Sequence, residues 1–219
     1  MRKFDTILFD LDGTLLNTLP DLRNALNHAL AQGGYPTRTT EEVRAFVGSG
    51  LLNLVKRAMP EGTDEDTCRR VLAVLKAYYA QHLMDETVPY EGVPQLVQQL
   101  KADGYKIGIV SNKVDNALCA LSKHFFGELV DFSLGEREDI PRKPAPDMIQ
   151  LALKTLGSEA GRAVYVGDSE VDVKAAENAG VSGVFVDWGF RSHEAMAAAG
   201  AQPLCSSIEA LTAALYAEE

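Results

Sequence analysis

Apolar residues are spaced in two different ways along this chain. Over residues 20–83 they recur at three- and four-residue intervals, the spacing of amphipathic helices, and no run is rich in β-branched residues. Pro20-Asp21-Leu22 predicts a helix start, because proline fits the first turn. Leu22, Leu26 and Leu30 fall on one face of that helix, and Gly33-Gly34 ends it. Thr39-Thr40-Glu41-Glu42 has the residue types of a capping box and predicts a short helix with Val43 and Phe46 inward. Gly48-Ser49-Gly50 interrupts, and Leu51, Leu54, Val55 and Met59 form the next stripe. A last helix from about Asp64 puts Val71, Leu75, Tyr78, Tyr79 and Leu83 on its buried side. Helices without strands over 17–86 predict a small all-helical domain.

From Val88 onward the pattern alternates. Short apolar runs at 106–110, 129–133, 163–166, 183–186 and 203–205 read as strands. Helix-period segments at 94–103, 114–123, 146–156, 171–179, 192–199 and 208–216 lie between and after them. Such alternation predicts a parallel sheet covered on both faces. With the early run Thr6-Ile7-Leu8-Phe9 added, residues 1–16 and 87–219 predict an α/β, Rossmann-like doubly wound parallel sheet core, into which the helical domain 17–86 is inserted.

In sheets of that kind, ligands bind beyond the carboxyl ends of the strands. The residues at those exits are polar in an unusual way. Asp10-Leu11-Asp12-Gly13-Thr14 follows the first run, and side-chain alternation sends the two carboxylates in different directions. Ser111, Asn112 and Lys113 follow the 106–110 run, and Arg142-Lys143-Pro144 precedes the 146–156 helix. Gly167-Asp168-Ser169 follows the 163–166 run, with Asp172 one helical turn on. Each fragment alone also reads blandly: Asp-Gly as a hairpin turn, Ser111 as a helix cap, Lys143 and Lys113 as exposed lysines, and Gly167-Asp168 as a turn. Their joint placement at successive strand exits points to one site.

The chemistry of such a set is specific. Asp10 and Asp168 supply carboxylate oxygens suited to Mg²⁺, with the backbone oxygen of Asp12 as a third ligand and Asp172 placed to orient a water on the metal. The Lys143 ammonium balances the carboxylates and meets phosphate as a point charge. The Thr14 and Ser111 hydroxyls and the Asn112 N–H are donors for phosphoryl oxygens. Asp10 is then a carboxylate nucleophile that forms an aspartyl-phosphate. Asp12 protonates the leaving oxygen and later takes a proton from water.

Composition narrows the partners. Lys+Arg 21 against Asp+Glu 31 gives a net charge of −10, which argues against nucleic acid or an anionic membrane surface. An anionic substrate must therefore be drawn in by local cations or a metal. Three widely separated cysteines, Cys68, Cys119 and Cys205, lack metal-ligand spacing and read as reduced, mostly buried thiols of a cytoplasmic protein. No apolar stretch reaches the ~20 residues of a membrane span. His28, His82, His124 and His193 show no ligand spacing either.

Taken together, these residues resemble the motifs of the haloacid dehalogenase superfamily, and within it the phosphoglycolate phosphatase-like phosphatases with a helical cap. Asp10-Leu11-Asp12-Gly13-Thr14-Leu15 is similar to the first motif, Ser111-Asn112 to the second, Lys143-Pro144 to the third, and Gly167-Asp168-Ser169 through Asp172 to the fourth. The 20–83 bundle resembles the cap, and Val47-Gly48-Ser49-Gly50 its substrate-facing loop. Trp188-Gly189-Phe190-Arg191 resembles a stretch common in the phosphoglycolate-type branch. Asn17-Thr18 departs from the Asp-Ser that many relatives carry there. The resemblance implies an Mg²⁺-dependent phosphatase acting on a small phosphorylated metabolite, with 2-phosphoglycolate as the candidate that the branch suggests. A carboxylate at Asp12 separates such enzymes from the dehalogenating and ion-pumping relatives. A phosphosugar mutase would use the same residues, and a non-catalytic phospho-ligand binder remains an alternative of a different class. A phospho-receiver does not fit the helical insert.

Overall fold

A computed structural model describes residues 2–48 and 50–218 of the chain. It divides into two compact units, Met1–Leu16 with Pro89–Glu219, and Asn17–Val88. In chain order the elements are β1 (Thr6–Phe9), β2 (Leu16–Asn17), α1 (Leu19–Gln32), α2 (Thr40–Phe46), α3 (Leu51–Ala58), α4 (Glu65–Tyr79) and β3 (Val88–Pro89). There follow α5 (Val93–Ala102), β4 (Lys106–Val114), α6 (Asp115–Phe125), β5 (Phe132–Glu136), α7 (Asp147–Leu156), β6 (Ala163–Gly167) and α8 (Glu170–Ala179). The chain ends through β7 (Ser182–Val186), α9 (His193–Ala198), β8 (Leu204–Cys205) and α10 (Ile208–Leu215).

The larger unit is a six-stranded sheet in the order β5-β4-β1-β6-β7-β8. All of its pairings are parallel, with Thr6 opposite Lys106 on one side and Ala163 on the other. β1 is therefore central, and its ladder edges are both taken by distant strands, which removes the hairpin reading of Asp12-Gly13. Every residue of β1 and β6 is buried, as expected of strands covered on both faces. On one face Leu8, Val110 and Tyr165 pack with Met148, Ile149 and Ala152 of α7 and with Val173 and Ala176 of α8. Each fully buried aliphatic side chain of this kind contributes about 1.5–3 kcal/mol. The strand order reverses beside β1, because the chain goes first to β4 and β5 and then crosses to β6. That is the topological switch point where a crevice opens beyond the strand ends.

Two strands differ from the sequence expectation. β4 does not stop at residue 110 but runs on to Val114 after a shift in register, rejoining β5 at Glu136. Ser111, Asn112 and Lys113 thus lie in the irregular end of a strand rather than after it. The next strand begins at Phe132, because 127–129 form a 3₁₀ turn and Asp131 is tied to Ile107 through both backbone and side chain. Leu129 and Val130 lengthen the apolar run in the sequence without belonging to the strand. The two-residue strands β2 and β3 carry no periodicity at all; they pair with each other where the chain leaves and re-enters the sheet unit.

In the helical unit, Thr39 and Glu42 form the expected reciprocal cap of α2. The buried faces are Leu22, Leu26 and Leu30 of α1, Leu54 and Val55 of α3, and Val71, Leu75 and Tyr79 of α4. Phe46 and Tyr78 are only half-buried. Tyr78 stacks between the rings of His28 and His82, each 4.1 Å away. Leu83 lies beyond the end of α4 and is half-buried. Cys68 and Cys205 are buried thiols, and Cys119 is exposed. No helix among the described residues is long and apolar enough to cross a membrane.

One buried carboxylate organises both ends of this unit. Asp21, in the first turn of α1, accepts from the backbone N–H of Glu86 (2.9 Å) and of Thr87 (2.8 Å) and from the Thr87 hydroxyl (2.7 Å). Asp21→Ala leaves three donors without their acceptor and is expected to cost roughly 2–4 kcal/mol in chemical denaturation. A loss below about 0.5 kcal/mol, the level of an ordinary surface substitution, would contradict this role.

Candidate active site

The site begins where β1 ends. The Asp10 N–H is still held in the sheet by Val166 O at 2.8 Å, and the chain then closes on itself, with Leu15 and Leu16 both donating to Leu11 O at 3.0 Å. Gly13 turns the loop with φ 87°, a left-handed conformation that only glycine adopts without strain. A Cβ there would also overlap the Asp168 carboxylate. Sequence and space therefore make the same demand at this position.

Four titratable groups converge behind the loop, from β1, from the turn before α7, from the end of β6 and from α8. Lys143 donates to Asp10 Oδ1 (2.9 Å), to Asp172 Oδ1 (2.7 Å) and to the Tyr165 hydroxyl oxygen (2.6 Å). The Tyr165 hydroxyl in turn donates to Val110 O at 2.8 Å, with Asp172 Oδ1 as a second acceptor at 3.2 Å. All three donor positions of the ammonium are thereby filled, and its side chain is 3% exposed. Asp172 Oδ2 accepts from the Ser169 N–H (3.1 Å) and hydroxyl (2.6 Å), so both of its oxygens are engaged. Asp168 is gripped from two sides, by the Thr14 hydroxyl at 3.3 Å and the Phe190 N–H at 2.7 Å.

Three carboxylates against one ammonium in a buried space leave uncompensated negative charge, and the titration behaviour follows. Burial pushes the Asp10 carboxyl up to about 6; Lys143 opposes the shift and the neighbouring Asp172 charge adds to it. Asp168 is raised well above the usual carboxylate range by burial and then by Asp172 and Asp10. Burial works against the Lys143 ammonium, but the Asp10 and Asp172 carboxylates outweigh it and hold its pKa above the ordinary lysine value. Carboxylate oxygens of Asp10, Asp168 and Asp172 lie within 4.8 Å of one another. An all-oxygen donor set with excess negative charge fits a hard divalent cation such as Mg²⁺. Asp10 and Asp168 fit best as ligands, because Asp172 already directs its oxygens to Lys143 and Ser169.

The remaining expected residues fall in different places. Ser111 is buried, and its hydroxyl beside Asp10 tempers the rise in that carboxyl's pKa. Asn112 donates its side-chain amide to Lys143 O at 2.9 Å, tying the end of β4 to the lysine turn; its Oδ1 is buried with no hydrogen-bond partner in the structure. Thr14, a phosphate-binding candidate by sequence, donates its hydroxyl to Asp168. Gly48 and Gly50 both have positive φ, 114° and 81°, in the helical unit, while Ser49 lies outside the described residues.

Three features were not assigned from sequence. Tyr165 alternates into a buried strand exactly as a core residue would, and nothing in the pattern shows that its hydroxyl supports Lys143. Lys113 reads from the sequence as a phosphate contact or, equally well, as an exposed helix-start lysine, yet its side chain is 6% exposed and its ammonium lies 3.0 Å from Asp12 Oδ1. Nothing in the sequence pattern assigns a role to the 188–191 stretch. It backs the site: Trp188 donates to Thr14 O (3.2 Å), Phe190 to Asp168, and Arg191 pairs with Glu170 (2.9 Å).

Gly189 sits where a Cβ would overlap both Asp168 Oδ2 and the backbone oxygen of Gly13. Gly189→Ala should therefore displace Asp168 and weaken divalent-metal binding by on the order of 10-fold or more; unchanged affinity in calorimetric titration would contradict this. A second expectation concerns pH. With a folded-state pKa of about 6 against ~3.9 unfolded, Asp10 binds its proton more tightly when folded. Its stabilising contribution is full below ~4 and disappears as pH climbs through 6. In metal-free protein, the stability of wild type relative to Asp10→Asn should therefore rise as pH falls across that window. A falling difference would reverse the assignment.

Residues 7–186 match the sequence model of the haloacid dehalogenase-like hydrolases, a span that takes in Asp10, Asp12, Ser111, Lys143, Asp168 and Asp172. Phosphoglycolate phosphatase of Pseudomonas syringae pv. tomato is 35% identical over 191 residues, covering 84% of this chain and 70% of that protein. The protein of the same name from Caulobacter vibrioides is 34% identical over 193 residues, covering 84% of this chain and 80% of its own length. Among solved structures, a provisionally assigned phosphoglycolate phosphatase of Lactobacillus delbrueckii subsp. bulgaricus superposes with a TM-score of 0.94 at 36% identity, covering 100% of both chains. This chain belongs to the haloacid dehalogenase-like hydrolase family.

Proposed function

We propose that the chain is an Mg²⁺-dependent phosphatase for small phosphate monoesters, with 2-phosphoglycolate as the first candidate, acting through an aspartyl-phosphate on Asp10. The observation that carries this reading is the Asp10 carboxylate, fixed at the exit of the central strand by a buried ammonium and set among oxygen donors only. The phosphoglycolate phosphatase name shared by the curated relatives supports the substrate class.

In this mechanism the Asp10 carboxylate attacks phosphorus as the bond to the leaving alcohol breaks, and Asp12 donates a proton to the departing oxygen. Asp12 then accepts a proton from water, whose oxygen attacks phosphorus; inorganic phosphate leaves and Asp10 is regenerated. Lys143 holds Asp10 and neutralises charge beside it, while Asp172 and Tyr165 hold Lys143. Ser111 and the backbone N–H of Asn112 take phosphoryl oxygens. A bound Mg²⁺, held by Asp10, Asp168 and the backbone oxygen of Asp12, would supply positive charge to offset that of the phosphoryl group. The same reading makes the helical unit a cap that excludes water during the first half-reaction, with Gly48-Ser49-Gly50 as its substrate-facing loop, and places the protein in the cytoplasm.

The test is a set of phosphate monoesters, including 2-phosphoglycolate and a sugar 1-phosphate, assayed with Mg²⁺ and after chelation. Phosphate release is expected with Mg²⁺ and should fall to about 1% or less without it, a loss of roughly 3 kcal/mol or more of transition-state stabilisation. Full activity after exhaustive chelation would overturn the metal assignment. Conversion of the sugar 1-phosphate to its isomer, without phosphate release, would make the chain a mutase.

A further inference from the structure

Lys113 lies at the irregular end of β4, two residues beyond Ser111, whose hydroxyl accepts from the Lys113 N–H at 3.3 Å. Its ammonium straddles the Asp12 carboxylate, 3.0 Å from Oδ1 and 3.4 Å from Oδ2. The lysine side chain is 6% exposed and the Asp12 side chain 24%. Burying a long lysine stem surrenders its rotamer freedom, and a partly buried pair of this kind is far less screened than a surface ion pair. Asp12 lies in the loop that follows β1, bridged through its backbone to Leu16. An ammonium facing both oxygens restricts the two side-chain torsions that aim this carboxylate.

We propose that Lys113 is a positioning residue for Asp12, holding its carboxylate where it exchanges protons with the leaving oxygen and with the attacking water. The inference rests on the reading of Asp12 as acid and base given above. Proton transfer depends steeply on placement, so loosening Asp12 should slow the steps in which it moves a proton and spare those in which it does not. p-Nitrophenyl phosphate separates them, because its leaving group departs without protonation while the water attack that follows still needs a base.

Lys113→Met is compared with wild type in rapid mixing with Mg²⁺ and p-nitrophenyl phosphate, following nitrophenolate and phosphate release separately. The expected result is a nitrophenolate phase within about 3-fold of wild type and phosphate release slower by on the order of 10-fold or more. With an alkyl phosphate, kcat/KM should fall as well. In the Asp12→Asn background, Lys113→Met should cause no further loss, because the lysine acts through that carboxylate. Lys113→Gln serves if the Met variant does not fold. A slowed nitrophenolate phase with weaker inhibition by inorganic phosphate would mean that Lys113 binds the phosphoryl group, and would overturn the proposal. Unchanged rates for both products, or full additivity with Asp12→Asn, would also overturn it. A wild-type chain that turns over neither ester would instead overturn the phosphatase reading itself.

Discussion

A lysine buried among carboxylates is the constraint around which the rest of this molecule is arranged. An ammonium taken out of water is costly unless every donor is satisfied, and Lys143 meets that condition with Asp10, Asp172 and Tyr165. Those partners come from β1, α8 and β6, three elements that meet only when the sheet is complete. The interaction thus makes the geometry of the site conditional on the fold. It also restrains Asp10, at the exit of the central strand, from one side. Burial first, and then the neighbouring carboxylates, raise the pKa values of Asp10 and Asp168, and a cluster of oxygen donors of this kind suits a hard cation.

The sheet order explains why these residues can meet. Chain reversal beside β1 places the ends of β1 and β6 next to each other, so Asp10 and Asp168 stand at neighbouring strand exits without any long loop to position them. The loops then need close backbone approach, and Gly13 and Gly189 provide it on either side of the Asp168 carboxylate. Support comes from a ring of less conspicuous contacts: Phe190 N–H and Thr14 on Asp168, Ser169 on Asp172, and the Asn112 amide on the Lys143 backbone. Such surrounding contacts hold reacting groups to within fractions of an ångström.

Much of this was legible in the sequence because strand exits in a parallel sheet are where polar residues have no structural reason to cluster. Asp10, Asp168, Lys143 and Asp172 stood out for that reason, and the structure brings all four together. Residues whose function depends on a partner far away in sequence were not legible. Tyr165 obeys the alternation of a buried strand, and only the arrival of Lys143 gives its hydroxyl a purpose. Lys113 has the residue type of a solvated helix start, and its burial depends on the register shift that prolongs β4. Thr14 has the hydroxyl of an anion ligand, and nothing in the pattern shows that it also donates to Asp168. In the fold, β5 begins three residues later than the apolar run suggests, because Leu129 closes a 3₁₀ turn and the strand starts only at Phe132.

Under the proposed mechanism Asp10, held by Lys143, is the group that takes the phosphoryl. The most direct measurement is to quench the Mg²⁺-loaded protein with acid during turnover of a monoester, digest it, and locate the phosphoryl group by mass spectrometry. The modification is expected on Asp10 and absent from Asp10→Asn. A phosphoryl group found on Ser111 or Ser169 instead would contradict it.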